Sequence, residues 1–158
     1  MKQHKIIKRR LIFIPRQQKL TQTRLMLGST KVMHLHGEIF KMRSEHDESI
    51  IYPVQTDMQI GDKASDGAQL RPHIVWFEEE VPMMEAAIQK AYMADVFVVI
   101  GTSLAVYPAA SILHYLPPYM PVIVIDKKLP KVNRPKVNYI EKPATEGVIK
   151  LKEILFSI

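Results

Sequence analysis

Two short uninterrupted runs of apolar, largely β-branched residues set the pattern of this chain: Val96–Ile100 (V-F-V-V-I) and Val122–Ile125 (V-I-V-I). Runs of this length and composition suit strands buried on both faces of a parallel sheet. Between and around them the period changes. Met83-Met84, Ala87-Ile88 and Ala91-Tyr92 recur four apart between Pro82 and Ala94, which predicts an amphipathic helix with its methionines as core filler. Pro108 fits the first turn of a helix that Ala109, Ala110, Ile112 and Leu113 continue. Tyr139-Ile140 predicts a further short strand, and Thr145–Phe156 a closing helix with Thr145 as N-cap and Val148, Leu151 and Leu155 on one face. Strand and helix thus alternate from Ile74 onwards, the signature of a Rossmann-like α/β sheet of parallel strands with crossover helices.

Upstream the pattern is weaker. Leu11-Ile12-Phe13-Ile14 predicts a short strand ended by Pro15, and Gly28-Ser29 a turn. Val32, His34 and His36 alternate with Met33 and Leu35 as the two faces of a strand would. Residues 41–69 are polar, with Ile50-Ile51-Tyr52-Pro53 as their one apolar knot, and predict a small excursion from the sheet. Leu70–Phe77 restores strand character and carries the single tryptophan, Trp76, which on periodicity alone is as well explained by core packing as by a binding role.

The chemistry collects where strands end. Gly101 stops the first apolar run, lets the chain turn with positive φ, and is followed by the hydroxyls of Thr102 and Ser103 at the carboxyl end of the strand, where open α/β sheets bind ligands. Asp126 ends the second run, and an acid there suits the hydroxyls of a ribose. Each also has a plainer reading, a polar loop or a turn cap. His34 and His36 offer half a metal site at most, and ordinary histidines with satisfied hydrogen bonds are the starting reading.

Composition narrows the setting. The 158 residues suffice for one domain's core, and no window approaches the ~20 apolar residues of a membrane span. With no signal-like h-region, the expected location is cytoplasmic. There is no cysteine, so no disulfide, thiol nucleophile or thiolate zinc site exists, and no zinc is expected. The net charge of +6 belongs to an arm: residues 1–31 hold nine Lys and Arg and no acid, leaving 13 basic residues against 16 acidic ones. Phe13 is the arm's one aromatic, so a solvated tail that packs poorly is favoured over a nucleic-acid-binding arm.

Several stretches together resemble the sirtuins, the NAD-dependent protein lysine deacylases. Gly101-Thr102-Ser103-Leu104-Ala105-Val106-Tyr107-Pro108-Ala109-Ala110 is similar to their adenosine-side loop, and Leu35-His36-Gly37 to their Leu-His-Gly signature. Leu70-Arg71-Pro72-His73-Ile74-Val75-Trp76-Phe77 resembles the wall of the acyl-lysine tunnel, and Pro143-Ala144-Thr145-Glu146-Gly147-Val148 the last adenine-side loop. The resemblance implies His36 as general base. It implies Gly101, Thr102, Ser103, Asp126 and Ala144 as holders of the adenosine half of NAD, and Val75 and Trp76 as the lysine-channel wall. The substrate it implies is an acyl-lysine protein or peptide, whose acyl oxygen attacks the nicotinamide ribose before the histidine activates a ribose hydroxyl.

Departures from the pattern shape the expectation. The family's Gly-Ala-Gly-Ile-Ser and Ile-Pro-Asp-Phe-Arg segments do not occur in the 158 residues, Gln18-Lys19-Leu20-Thr21 stands where Gln-Asn-x-Asp is usual, and Glu78 replaces a Gly. The chain is therefore expected to be the C-terminal part of a sirtuin, residues 28–158, with residues 1–27 a basic arm without family match. Its sheet is expected to be incomplete on the N-terminal side and its activity weak. Rival readings are a catalytically silent nucleotide-binding module and a nucleic-acid binder built on the arm. Acyl preference and oligomeric state stay open.

Overall fold

The computed structural model describes residues 11–15, 31–105 and 107–157. They fall into two compact units, one built from residues 11–15, 84–105 and 107–157, the other from residues 31–83. The expected turn at Gly28-Ser29, the Gln18–Thr21 stretch and most of the basic arm lie outside the described residues.

The first unit is a four-stranded, all-parallel sheet of order β1-β5-β6-β7, made of β1 (Leu11–Pro15), β5 (Val96–Ile100), β6 (Val122–Asp126) and β7 (Val137–Glu141). Phe13 and Ile123 both flank Val98, and Ile125 pairs with Ile140. All five residues of β5 and the first four of β6 are buried, which is why these strands read as continuous apolar runs. Part of the arm therefore belongs to the sheet: residues 11–15, expected to pack poorly, form a full parallel ladder with β5.

Helix α1 (Met84–Tyr92) precedes β5 and buries Ala91, whereas Met83 is 40% exposed and not core filler. The β5–β6 connection is a 3₁₀-helix, Ala109–Tyr115, rather than an α-helix. It is short because Pro117 forces Leu116 into an extended conformation (φ −72°, ψ 139°). Residues 127–136 join β6 to β7 with no helix, and Arg134 anchors that loop by donating to the Leu113 carbonyl (2.9 Å) and the Pro117 carbonyl (2.7 Å).

Helix α2 (Ala144–Ser157) closes this unit. It starts one residue before the expected cap: the Pro143 carbonyl accepts from the Glu146 and Gly147 N–H groups, so Thr145 lies inside the helix. Its inward stripe is Gly147, Leu151, Ile154 and Leu155, while Val148 faces out. Gly147 lies so close to β6 that a Cβ would overlap Ile125 Cγ2.

The second unit is an antiparallel three-stranded sheet of order β3-β2-β4, from β2 (Gly37–Ser44), β3 (Ile51–Pro53) and β4 (Leu70–Ile74). The polar excursion is thus ordered by pairing. Its interior is polar as well: Ser44 is wholly buried, and Arg43, 7% exposed, pairs with Glu48 at 2.7 Å.

Candidate functional site

The His36 segment is not the expected strand. Residues 31–34 have no regular structure, Leu35-His36 form a turn closed by Gly37 N–H to the His34 carbonyl (3.2 Å), and β2 begins only at Gly37. Gly37 takes φ +80° and lies against β4, where a Cβ would overlap the His73 carbonyl oxygen and come within 2.9 Å of Ile74 Cα. Only glycine satisfies both conditions, which explains the residue that follows the histidine. Beside it Glu38 accepts from His34 Nε2 (3.1 Å) and pairs with Lys41.

His36 is partly buried, and desolvation holds its imidazole below the ordinary histidine value. The ring is therefore neutral at physiological pH, the form a general base requires. Its backbone carbonyl accepts from the Val75 N–H at 3.1 Å, which ties the histidine turn to the segment after β4. Val75 and Trp76 lie beyond the end of β4 rather than within a strand to Phe77. Trp76 is 52% exposed and Phe77 92%, so the tryptophan is not a core residue.

In the first unit, Gly101, Thr102 and Ser103 follow β5, Asp126 ends β6, and Ala144 opens the helix after β7. The residues expected for the adenosine half thus all sit at the carboxyl ends of three adjacent parallel strands. Gly101 has φ +63°, donates its N–H to the Ile125 carbonyl (2.8 Å), and, among the described residues beyond its chain neighbours, has no atom within 4 Å of where a Cβ would stand. Among the described residues it is conformation, not crowding, that demands glycine there. Thr102 Oγ1 accepts from the Leu104 N–H (3.2 Å), holding the loop through Leu104 at φ +55°. Asp126 Oδ1 caps its turn by accepting from the Lys128 N–H (3.1 Å), so the plainer role is filled by one oxygen. The glycine loop, the carboxylate and the helix start thus gather at one end of the sheet, the end at which open α/β sheets bind ligands.

Reasoning from sequence missed Glu79 and Arg134. Arg134 lies in a polar loop, and its pairing with carbonyls that are distant in sequence left no local signal. Glu79 is one of three consecutive acids, indistinguishable from them until the fold turns it back on Arg71. Among the described residues no group of three or more His, Cys, Asp or Glu is placed to hold a metal ion, and no helix is long and apolar enough to cross a membrane.

The Sir2 family profile matches residues 10–108. The match takes in residues 10–27 of the arm, which had been expected to lack any family likeness. An NAD-dependent protein deacylase of Bacteroides thetaiotaomicron is 44% identical over 135 residues, covering 81% of this chain and 58% of that protein. Another from Helicobacter pylori is 42% identical over 109 residues, covering 69% and 47%. Of solved structures, an ADP-ribose complex of a Sir2 homologue variant aligns with a TM-score of 0.67 at 30% identity, covering 78% of this chain and 52% of that one. A Sir2 homologue–NAD complex gives 0.68 at 28% identity, covering 82% and 53%. The chain spans about half the length of these relatives. With the family profile matched over residues 10–108, well over half of its length, the chain belongs to the Sir2 family.

Proposed function

We propose that this chain carries the general base, the adenosine-side loops and the substrate wall of an NAD-dependent protein lysine deacylase. The observation that supports this most directly is the His36–Val75 hydrogen bond, which joins a partly buried, neutral histidine to the segment proposed to line the acyl-lysine channel. Gly101, Thr102, Ser103, Asp126 and the backbone of Ala144 would hold the adenosine half of NAD. When bound, that cofactor supplies the ribose that receives the acyl group. His36 takes the proton from a ribose hydroxyl at an imidazole nitrogen. Val75 and Trp76 align the extended substrate backbone and shield the acyl-lysine side chain from water.

Positioning is the weak point of the isolated chain. The family's glycine-rich phosphate loop and its Asn and Asp next to the ribose have no counterpart in these 158 residues, and orientation supplies roughly 7–11 kcal/mol of a barrier reduction. Residues 1–158 should therefore bind NAD weakly and deacylate slowly. The test is a mass-spectrometric assay of an acetyl-lysine peptide with NAD, on the wild-type chain and on His36→Ala. Slow turnover lost in the variant supports the proposal. Turnover that survives His36→Ala refutes the base assignment, and NAD binding without any turnover favours a silent nucleotide-binding module.

A further inference from the structure

Among the described residues, Glu79 is the acid of Glu78-Glu79-Glu80 that is bound on both carboxylate oxygens. Its Oε1 meets Arg71 Nη1 at 2.7 Å, and its Oε2 accepts from the Trp76 N–H at 2.9 Å. The Glu79 N–H in turn donates to the Trp76 carbonyl at 3.3 Å, so side chain and backbone close the turn 76–79 reciprocally. Arg71 is rooted in β4 opposite Arg43, and its guanidinium carbon lies 6.0 Å from the centroid of the Trp76 ring. One carboxylate thus joins a strand to a turn, and the cation it holds also faces the indole. An exposed tryptophan beyond the end of a strand has little packing to fix it. These charge-assisted contacts take over that task.

We propose that Arg71 and Glu79 are positioning residues for the substrate wall: together they set the Trp76 indole and the Val75–Trp76 backbone in the arrangement an acyl-lysine peptide docks against. This rests on the deacylase reading above, with Val75 and Trp76 as the wall. The pair touches neither cofactor nor reacting atoms. It acts through Trp76 by presenting a preformed edge, so that a peptide need not order the turn on binding.

Trp76 is the only tryptophan, so its fluorescence reports on this turn without any need for turnover. The full chain is titrated with an acetyl-lysine peptide and with its unmodified lysine counterpart, and acrylamide quenching and circular-dichroism melting are recorded alongside. Wild type should respond to the acylated peptide. Glu79→Ala should bind it about tenfold more weakly, the loss expected for a charge-assisted hydrogen bond, with raised quenching in the free protein. Glu79→Gln keeps an oxygen for the Trp76 N–H but loses the charge opposite Arg71, and should fall between the two. Wild-type affinity and quenching in both variants overturn the proposal. If Glu79→Ala does not fold, Glu79→Gln decides alone, and its behaving as wild type overturns it equally. No response of wild type to the acylated peptide at millimolar concentration overturns the substrate reading itself, and the proposal with it.

Discussion

The His36 carbonyl accepts a 3.1 Å hydrogen bond from the Val75 N–H, so the proposed base and the proposed substrate wall share one backbone frame although they are far apart in sequence. Gly37 makes this contact feasible. It is the residue whose missing side chain lets the histidine turn lie directly on β4.

The first prediction concerns pH. A general base works in its neutral form, so the rate rises as pH climbs through the base's pKa. Desolvation lowers the His36 pKa, which moves that rise to the acid side of an ordinary imidazole. The acid limb of kcat/KM should therefore have its midpoint below about 6.5. A profile with the limb clearly above that value would show that the burial of His36 does not govern catalysis.

Helix α2 provides the second. Alanine is normally better than glycine inside a helix by about 1 kcal/mol, and Gly147 is an interior helical residue. Here the added methyl would overlap Ile125, which is wholly buried in β6, one residue before Asp126. Overpacking of this kind costs about 1–3 kcal/mol and should reverse the helix-propensity gain. Gly147→Ala is expected to be less stable in chemical denaturation, and increased stability would show that helix and sheet separate freely.

What the sequence disclosed follows the physics of each element. Val96–Ile100 and Val122–Ile125 were legible because strands buried on both faces must be apolar throughout. The loop glycine at 101 was legible as well, since few other residues take its φ of +63°. Val32–His36 was misleading because alternation does not distinguish a paired strand from an extended approach to a turn, and here the partner strand meets the chain only from Gly37. The sheet in the 41–69 region was hidden because its buried side chains include Ser44 and Arg43, polar residues that leave no hydrophobic period. The inward face of α2 was misjudged by one residue because its closest contact is made by a glycine, which no apolar count includes.

The third prediction follows from that polar interior. Ser44 Oγ donates to Asp66 Oδ2 at 2.5 Å and accepts from the His46 and Asp47 N–H groups at 3.0 and 3.2 Å. Asp66 Oδ1 accepts from the Ala68 N–H at 3.0 Å. The Ser44 bond first, and the Ala68 bond next, hold the Asp66 carboxyl below its usual range. A depressed folded-state pKa gives stability that is complete above the ordinary Asp value of about 3.9 and is lost as pH falls through the lower folded value. Acid unfolding followed by circular dichroism should therefore show a shallower stability loss below about pH 4 in Asp66→Asn than in wild type. Because this network needs no metal, a chelator should leave the wild-type melting temperature unchanged. A chelator-sensitive melt would reveal a metal site in this unit.

The last prediction turns on Glu78. It occupies the third position of the turn 76–79 with φ +72°, the sign a type II turn requires there and glycine usually supplies. The backbone here takes a conformation that glycine favours while carrying a side chain, at a strain of about 1–2 kcal/mol for an L-residue in the left-handed region. Glu78→Gly removes that strain but also frees the unfolded chain, which offsets about 0.4–1 kcal/mol of the gain. The variant should be more stable by up to about 1.6 kcal/mol, with an unchanged Trp76 emission maximum, because the Glu79 contacts to Arg71 and Trp76 do not involve residue 78. Stability falling in Glu78→Gly would mean that the Glu78 side chain makes a favourable interaction outweighing its strain. A shifted Trp76 emission would mean that the turn depends on residue 78 for more than its φ.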